Sequence, residues 1–268
     1  MNTFLESYNH IITKVKFFFK QLQLKQKIVK GTGRPLSISP EDIIALTLFK
    51  QTYGIITKKA IHALFSLNCS YKTLVVNMNS MGRYALLILN AILKWNQSRA
   101  HIVKHTDSTD IPVCLNKNAK QHKIMQSLSS WGHSGKGFYY GVKMSITTDL
   151  NRNLLAVRFE FGNSNDRETF KKMNKDIMGI FVADAGYYSK DLIKEFHIEN
   201  QRILFAKPKA NMKKIITAWQ YHLYNTRMLI ELNFRNLKMF HNLVTSLPRS
   251  INGYLGNYVY ALLAYVLK

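Results

Sequence analysis

Acidic residues are scarce in this chain. Of 268 residues, 15 are Asp or Glu and 38 are Lys or Arg, so the formal net charge is +23 at pH 7. A surface of this charge disfavours cationic partners and favours polyanions. Nucleic acid fits best, because each phosphate that Lys or Arg neutralises releases condensed counterions. An anionic membrane surface is the competing partner.

Cysteines and long apolar runs are also scarce. The two cysteines, Cys69 and Cys114, have no metal-ligand spacing, which argues against a structural zinc site and is typical of a reduced cytoplasmic protein. No run reaches the roughly 18 uninterrupted apolar residues of a membrane span, and the C-terminal YLGNYVYALLAYVLK is too short and too rich in tyrosine. We therefore expect no membrane partner. A hydrophobic content of 47% is ample for a folded core.

The first 97 residues have helical periodicity. Ser39 as N-cap and Pro40 as the first helical residue predict a helix from Pro40 to about Gln51. Interruptions at SLNCS and at SMG separate further helices, so we predict an all-helical N-terminal domain over residues 1–97 that binds DNA. The short helices around SLNCS could form a helix-turn-helix with Lys72 near DNA. A plain helical bundle accounts for the pattern equally well.

From residue 98 onward the apolar period changes toward two. Three successive strands are predicted at HIVKHTD, FYYGVKMSITTD and NLLAVRFEFG, with NRN as the turn of an antiparallel hairpin. A helix (SNDRETFKKMNKDI), a buried strand (IMGIFVAD), a helix (YYSKDLIKEFHI), a strand (ILFAKP) and a final helix follow. This order predicts an α/β domain with a mixed sheet over residues 98–268.

Four of the acidic residues have unusual positions. Asp107 and Asp110 lie near the end of the first predicted strand, Asp184 directly follows the buried strand, and Glu231 lies on an otherwise apolar helix. Open α/β sheets hold their sites at the carboxyl ends of strands. Asp184 also has a purely structural interpretation, since Asp before a glycine turn often bonds its own backbone.

A metal site follows if Asp107, Asp184 and Glu231 converge. Three carboxylates are natural ligands for hard divalent cations, and Mg²⁺ is the first candidate. Two such ions can promote in-line displacement at a phosphodiester. Without a cation, three clustered carboxylates would repel one another and would repel DNA.

Charged and aromatic residues form a stripe on the final helix. Tyr224, Arg227, Glu231 and Lys238 fall within about 60° of one another at about 100° per residue. The rest of the circumference is apolar, so we expect this helix to be buried on nearly all sides. The simplest interpretation is a solvated strip in which Glu231 pairs with Arg227.

Six blocks of the sequence form a series: DSTDIPVC, KQHKIMQ, YYGVKM, FGNSNDRE, VADAGYYSKDL and YNTRMLIELNFRNLK. Together they resemble the bacterial insertion-sequence transposases with a DDE catalytic domain. The last block matches the Tyr-x-x-Arg-x-x-x-Glu-x6-Lys signature of that group at every position. The resemblance covers about residues 102–267, and GRPLSISPEDIIALTLF resembles the helical N-terminal part of one such family.

The resemblance implies a ribonuclease H-like fold in which Asp107, Asp184 and Glu231 bind two Mg²⁺ ions, for which Mn²⁺ can substitute. It also implies DNA contacts from Tyr224, Arg227 and Lys238 of the last block and from Lys143 of the YYGVKM block. The 47-residue spacing from Asp184 to Glu231 leaves room for a helix, a strand and a helix, without an inserted β domain.

The sequence departs from the pattern of this family at one position and leaves two weaker acidic candidates. Ser145 stands where relatives often carry His, which puts one supporting contact in doubt. Asp110 could be confused with Asp107 as the first ligand, and Asp166 is primarily a helix N-terminal residue.

The function implied is that of a transposase. Such a protein binds the terminal inverted repeats of its element, cleaves phosphodiesters and joins the 3′-hydroxyls to target DNA, as a homodimer on double-stranded DNA at the bacterial nucleoid in the cytoplasm. Two other interpretations are a catalytically inactive DNA-binding descendant and a ribonuclease H-like nuclease without strand transfer. The complete triad argues against the first, and Arg227 and Lys238 argue against the second.

Overall fold

The structure is a computed structural model that describes residues 2–28, 36–199, 201–208, 212 and 215–267. The chain divides into two compact units. A helical unit comprises Met1–Ile92 together with Asn236–Lys268, and an α/β unit comprises Leu93–Arg235.

Among the described residues, seven helices make up most of the helical unit. Ser39 caps the third of them, since its Oγ accepts a hydrogen bond from the backbone N–H of Asp42 at 3.1 Å, and this helix is buried along most of its length. The helix predicted from Pro40 to Gln51 is therefore confirmed and ends one residue later. The helices are α1 (Asn2–Gln21), α2 (Leu24–Lys27), α3 (Pro40–Thr52), α4 (Lys58–Leu64), α5 (Tyr71–Ser80), α6 (Gly82–Ser98) and α11 (Ile251–Val266).

The C-terminal helix α11 belongs with the N-terminal helices. It packs against α3 and α5, and its tyrosines Tyr254, Tyr258 and Tyr260 are almost fully buried. A Cβ at Gly82 would lie 3.2 Å from the Cα of Gly256, so these two glycines let helices α6 and α11 approach closely. The predicted domain of residues 98–268 therefore differs from the structure, because the apolar surface of α11 is buried within the helical unit.

Within the described residues, the α/β unit contains a six-stranded mixed sheet. Its strands are β1 (Val103–Pro112), β2 (Ser130–Ser134), β3 (Gly137–Asp149), β4 (Leu154–Phe161), β5 (Gly179–Ala183) and β6 (Arg202–Ala206). Their order is β2-β3-β1-β5-β6, with β4 also paired to β3. The pairs β1–β5 and β5–β6 are parallel and the others are antiparallel. The mixed sheet predicted from the sequence is confirmed. The helices of this unit are α7 (Asp166–Asn174), α8 (Lys190–Phe196), α9 (Ala218–Thr226) and α10 (Met228–Phe240). The last residues of α10, from Asn236 onward, are assigned to the helical unit.

Three local predictions differ from this structure. Strand β2, with the sequence SWGHS, was not predicted, because its glycine and serines carry no apolar alternation. Strand β1 continues to Pro112, so Asp107 lies in mid-strand and not at its end. The helix predicted through residues 224–238 is interrupted at Arg227, where two i→i+3 hydrogen bonds tighten the backbone between α9 and α10.

Helices cover both faces of the sheet. On one face, α7 and α8 bury an aromatic cluster that includes Phe170, Phe181 and Phe196. On the other face, Leu223 of α9 packs on Val103 and Val182. Among the described residues, no helix combines the length and hydropathy needed to cross a membrane.

Candidate active site

The parallel pairing of β1 and β5 brings two carboxylates side by side. His105 is in register with Val182, so Asp107 and Asp184 each follow that pair by two residues and project from the same face of the sheet. Strand β5 ends at Ala183, while β1 continues along β3. The β1–β5 pairing therefore stops just before Asp107, although β1 itself continues. This leaves a gap in the sheet beside Asp107.

The structural interpretation of Asp184 is not supported by its contacts. Asp184 precedes a short 3₁₀ turn (Ala185–Tyr187), but its side chain makes no capping hydrogen bond to that turn. About half of the side chain is exposed, and one oxygen lies 3.8 Å from the guanidinium of Arg227. The carboxylate is therefore directed toward the cluster.

One guanidinium joins the three predicted carboxylates. Nη2 of Arg227 lies 2.8 Å from Oδ2 of Asp107 and 3.8 Å from Oδ2 of Asp184, and Nη1 lies 3.1 Å from Oε1 of Glu231. The pair between Arg227 and Glu231 is the one expected of a solvated helix strip. That interpretation leaves the two carboxylates from the strands unexplained, so the structure brings together three acids that are distant in the sequence.

Burial differs among the members of this carboxylate cluster. The side chain of Asp107 is 17% exposed and that of Arg227 is 23% exposed, whereas Glu231 is 59% exposed. Asp107 is also held by its neighbour, since the backbone N–H of Ser108 donates to its Oδ1 at 2.8 Å. Its other oxygen faces Arg227. The cluster thus has a buried floor and an open side that a large ligand can reach.

His105 lies on the same face of β1 as Asp107 and contacts the residue before Arg227. No role for it was predicted from the sequence. Its ring is fully buried, and Nε2 lies 2.8 Å from Oγ1 of Thr226, the residue before Arg227. Burial lowers the pKa of His105 to about 4, so the ring is neutral at pH 7. A signal was present in the sequence, because a residue two positions before Asp107 on a strand shares its face.

Burial and the neighbouring charges shift the pKa values of Asp107 and Arg227. Burial raises the pKa of Asp107 to about 6, although the neighbouring positive charge of Arg227 acts in the opposite direction. For Arg227, burial lowers the pKa, but the charges of Asp107 and Asp184 outweigh it and the net pKa is raised. The guanidinium therefore remains charged.

A contact to the β3–β4 turn sets the position of α10. Nε of Arg152 donates to Oδ1 of the fully buried Asn233 at 2.8 Å. Arg152 has a φ of 66°, in the left-handed region that non-glycine residues rarely occupy. This contact, also not predicted, ties the turn to the helix that carries Glu231.

Lys143, one of the predicted DNA-binding residues, lies away from the cluster. It is in register with Asp110, three positions from Asp107, which places both on the opposite face of the sheet. Nζ of Lys143 lies 3.2 Å from Oδ1 of Asp166 and donates to the carbonyl oxygen of Ser164 at 2.9 Å. The structure therefore does not bring Lys143, Asp110 or Asp166 to the carboxylate cluster.

Ser145 also lies on that opposite face. It is buried and is in register with Ser108, which adjoins Asp107 but projects to the other side of the sheet. The departure from the family pattern at Ser145 therefore leaves the carboxylate cluster itself unchanged.

The two remaining stripe residues lie on different helices. The hydroxyl of Tyr224, on α9, donates to the carbonyl oxygen of Ala206 at 3.0 Å and so joins α9 to the end of β6. Lys238 is half-buried in the last turn of α10, in the segment assigned to the helical unit. The expectation that this helix is buried on nearly all sides is wrong, since Met228 is 68% and Leu232 is 42% exposed.

The metal site predicted from the sequence is not preformed. Among residues 2–28, 36–199, 201–208, 212 and 215–267, no three His, Cys, Asp or Glu side chains are arranged to hold a metal ion. In the carboxylate cluster, the guanidinium of Arg227 lies between the acids. The donor set of three carboxylates nevertheless suits a hard divalent cation in kind.

A comparison with protein families decides the identity of this chain. The sequence model of the family described as "Transposase DDE domain" matches residues 97–251, which is more than half of the chain. The chain belongs to this family. Asp107, Asp184 and Glu231 all lie within the match.

The matched region contains all but the first four residues of the α/β unit of this transposase and ends at the first residue of α11. Membership supports an enzyme that acts on DNA, which agrees with the charge of +23. Searches of curated proteins and of solved structures find no significant match.

Proposed function

We propose that this transposase binds the terminal inverted repeats of an insertion sequence, cleaves phosphodiesters and joins the 3′-hydroxyls to target DNA. The observation that carries the proposal is the meeting of Asp107, Asp184 and Glu231 on one cationic group. These acids come from two adjacent strands and a separate helix. Such convergence of like charges needs a cation, and it agrees with the acids of the transposase signature.

In this proposal, Asp107, Asp184 and Glu231 hold two Mg²⁺ ions, or Mn²⁺ in their place. When bound, such ions activate the attacking oxygen and stabilise the leaving oxygen of an in-line displacement. Asp107 anchors the site, because Ser108 holds one of its oxygens while the other faces the cluster. Glu231 and Asp184 are more exposed and can adjust around the ligand.

Arg227 then has two alternating partners. In the structure, its guanidinium neutralises the three carboxylates. With the acids neutralised by a bound cation, the guanidinium would be free to pair with a DNA phosphate, because two phosphate oxygens suit its planar fork of donors. Tyr224 and Lys238 would contact the transposon end nearby, whereas Lys143 has less support because Asp166 already pairs with it.

The helical unit would supply recognition of the element's ends. Its exposed basic residues, Lys72 among them, are available to DNA phosphates. The chain would act as a homodimer, with one copy for each transposon end.

The test uses a labelled DNA fragment that carries the terminal repeats, with Mg²⁺. We expect Asp107→Asn, Asp184→Asn and Glu231→Gln each to abolish strand cleavage while binding in EDTA remains, because the ligands are lost and the DNA surface is not. Asp191→Asn, at an exposed acid in the first turn of α8, is the matched control and should cleave normally.

The products separate the remaining alternatives. Joining of the cleaved 3′-ends to a target plasmid supports a transposase, and cleavage without joining indicates a nuclease. Binding without cleavage by the unmodified protein indicates an inactive descendant. Full cleavage by Glu231→Gln, or by the unmodified protein in EDTA, would refute the assignment of the metal ligands.

A further inference from the structure

The helical unit contains a cavity of about 470 Å³ between α3, α4, α5 and the start of α11. Of the described residues that line it, three are basic, namely Lys50, Lys58 and Arg249, and none is Asp or Glu. This imbalance exceeds that of the chain as a whole, which has some acidic residues among many basic ones. The cavity is therefore strongly positive.

Lys50 is buried in the wall of this basic cavity. Its side chain is 6% exposed, and Nζ donates to Oε1 of Gln51 at 3.1 Å. The amide of Gln51 is oriented by Asn257, because Nε2 donates to Oδ1 of Asn257 at 2.9 Å. Burial, followed by the charge of Lys58, lowers the pKa of Lys50 to about 8. At pH 7 the ammonium is still mostly charged.

Lys58 is the second ammonium of the basic cavity. Its Nζ donates to Oδ1 of Asn79, and burial lowers its pKa to about 8 as well. Both lysines thus bond neutral amides, and no carboxylate of the described residues forms an ion pair with either. Lys50 is buried and Lys58 is half-buried, and two such neighbouring cations destabilise a fold unless an anion accompanies them.

The remaining lining indicates what the anion is attached to. A phosphate would fill only a small part of the cavity, whose size falls within the range of about 300–1,000 Å³ typical of small-molecule sites. Apolar side chains, Ile56, Val75, Met78 and Leu247, line the rest. Tyr71 is 46% exposed and offers an aromatic ring on which a base can stack.

We propose that the basic cavity binds the phosphate of a nucleotide, either free or at the end of a DNA strand, through Lys50 and Lys58. The base would lie against Tyr71, and the exposed Arg249 would contact the phosphate from the opening. The described residues that line the cavity all belong to the helical unit. Binding of a free nucleotide is independent of the carboxylate cluster, while binding of a DNA end rests on the proposed function.

The experiment measures binding of dAMP and of inorganic phosphate to the full chain by calorimetry at constant ionic strength. We expect saturable binding of both, with dAMP the tighter because its base adds contacts. Lys50→Met and Lys58→Gln should each weaken dAMP binding by at least about tenfold, since each removes a charge-assisted hydrogen bond. Lys59→Gln, at the next and exposed residue of α4 outside the cavity, should bind as the unmodified protein does.

Arg249→Gln guards against a folding defect in the buried variants, because Arg249 is exposed. It should weaken dAMP binding severalfold while the melting temperature stays unchanged. Absence of saturable binding, or unchanged affinity in both lysine variants, would overturn the inference.

Competition against dAMP identifies the source of the phosphate. A short single strand with a 5′-phosphate that competes better than the same strand with a 5′-hydroxyl assigns the site to a DNA end. Failure of both strands to compete assigns it to a free nucleotide. Equal competition by both strands that persists in Lys58→Gln counts against the site. If the unmodified protein cleaves DNA but does not bind dAMP, this inference alone is refuted. If it binds dAMP but does not cleave DNA, the proposed function alone is refuted.

Discussion

Arg227 is the residue that balances the charges of the candidate active site. It contacts Asp107, Asp184 and Glu231 with two nitrogens of one guanidinium. Removing one partner of a partly buried ion pair leaves the others uncompensated, and that loss exceeds the small contribution of an exposed pair. The same residue therefore stabilises the fold without metal and, under the proposed function, would compete with Mg²⁺ for the carboxylates.

We expect Arg227→Gln to lower the free energy of unfolding by about 1–3 kcal/mol in EDTA, because the three carboxylates then repel one another. Mg²⁺ should restore more stability to this variant than to the unmodified protein, since a vacated cluster binds cations more easily. Urea unfolding with and without Mg²⁺ measures both effects. Arg235→Gln, at an exposed arginine of α10, is the control, and equal stability of the two variants would contradict the prediction.

Asp107 and His105 give the metal-free protein opposing pH dependences. The folded-state pKa of Asp107 is raised to about 6, so its contribution to stability is present at low pH and is lost as the pH rises from about 4 to about 6. The folded-state pKa of His105 is lowered to about 4, so its contribution is lost as the pH falls from about 6.5 to about 4. The two effects partly cancel.

Asp107→Asn should separate these effects. The variant lacks the destabilising ionisation, so its free energy of unfolding relative to the unmodified protein should increase by about 2–3 kcal/mol between pH 4 and pH 7. Urea unfolding in EDTA at several pH values measures this difference. If the difference in free energy of unfolding between the two proteins is the same at every pH, burial does not raise the pKa of Asp107.

At the scale of elements, the register of two strands and the placement of one helix assemble the site. Parallel pairing of β1 with β5 sets Asp107 beside Asp184, and the Arg152–Asn233 contact holds α10 against the β3–β4 turn. Arg152 adopts a left-handed backbone there, which costs about 1–3 kcal/mol and persists only where surrounding contacts require it. The contact therefore helps to hold α10, and with it Glu231, in place.

We expect Asn233→Ala to reduce the rate of strand cleavage by about tenfold or more, because α10 loses an anchor two residues from Glu231 and small displacements of ligands are costly. Binding of repeat DNA in EDTA should change little. Asn233→Asp keeps an acceptor for Arg152 and should recover much of the rate. Cleavage by Asn233→Ala at the unmodified rate would contradict a positioning role.

At the scale of the whole molecule, the compact units are not continuous segments of the sequence. The helical unit combines residues from both ends of the chain, and the residues of the α/β unit lie between these two segments in the sequence. The apolar surface of α11 is buried against α3 and α5. Removal of the N-terminal region alone would therefore uncover this surface.

A fragment of residues 97–268 should aggregate, whereas a fragment of residues 93–235 should stay monomeric, because only the first exposes α11. Light scattering distinguishes the two. The shorter fragment should also bind DNA with strong salt dependence but should no longer discriminate the element's ends, if the helical unit supplies that recognition. Monomeric behaviour of residues 97–268, or end discrimination by residues 93–235, would contradict these expectations.

Local patterns in the sequence determined most elements and the acids of the candidate site. Ser39 and Pro40 start a helix through contacts within one turn, and the alternation of apolar residues marks β3 and β4. Asp184 was recognisable because it ends a continuous apolar run, and Glu231 because it interrupts an apolar helix. Each of these signals acts between residues close in the chain, so the sequence alone carries it.

Tertiary structure decided which of these residues meet. Asp107 and Asp110 have equivalent sequence contexts, but the pleat of β1 places only Asp107 on the face beside Asp184. The roles of His105 and Arg152, and the packing of α11 with α3, join residues far apart in sequence. Such contacts depend on strand register and on the burial of whole surfaces, and these quantities exist only once the chain has folded.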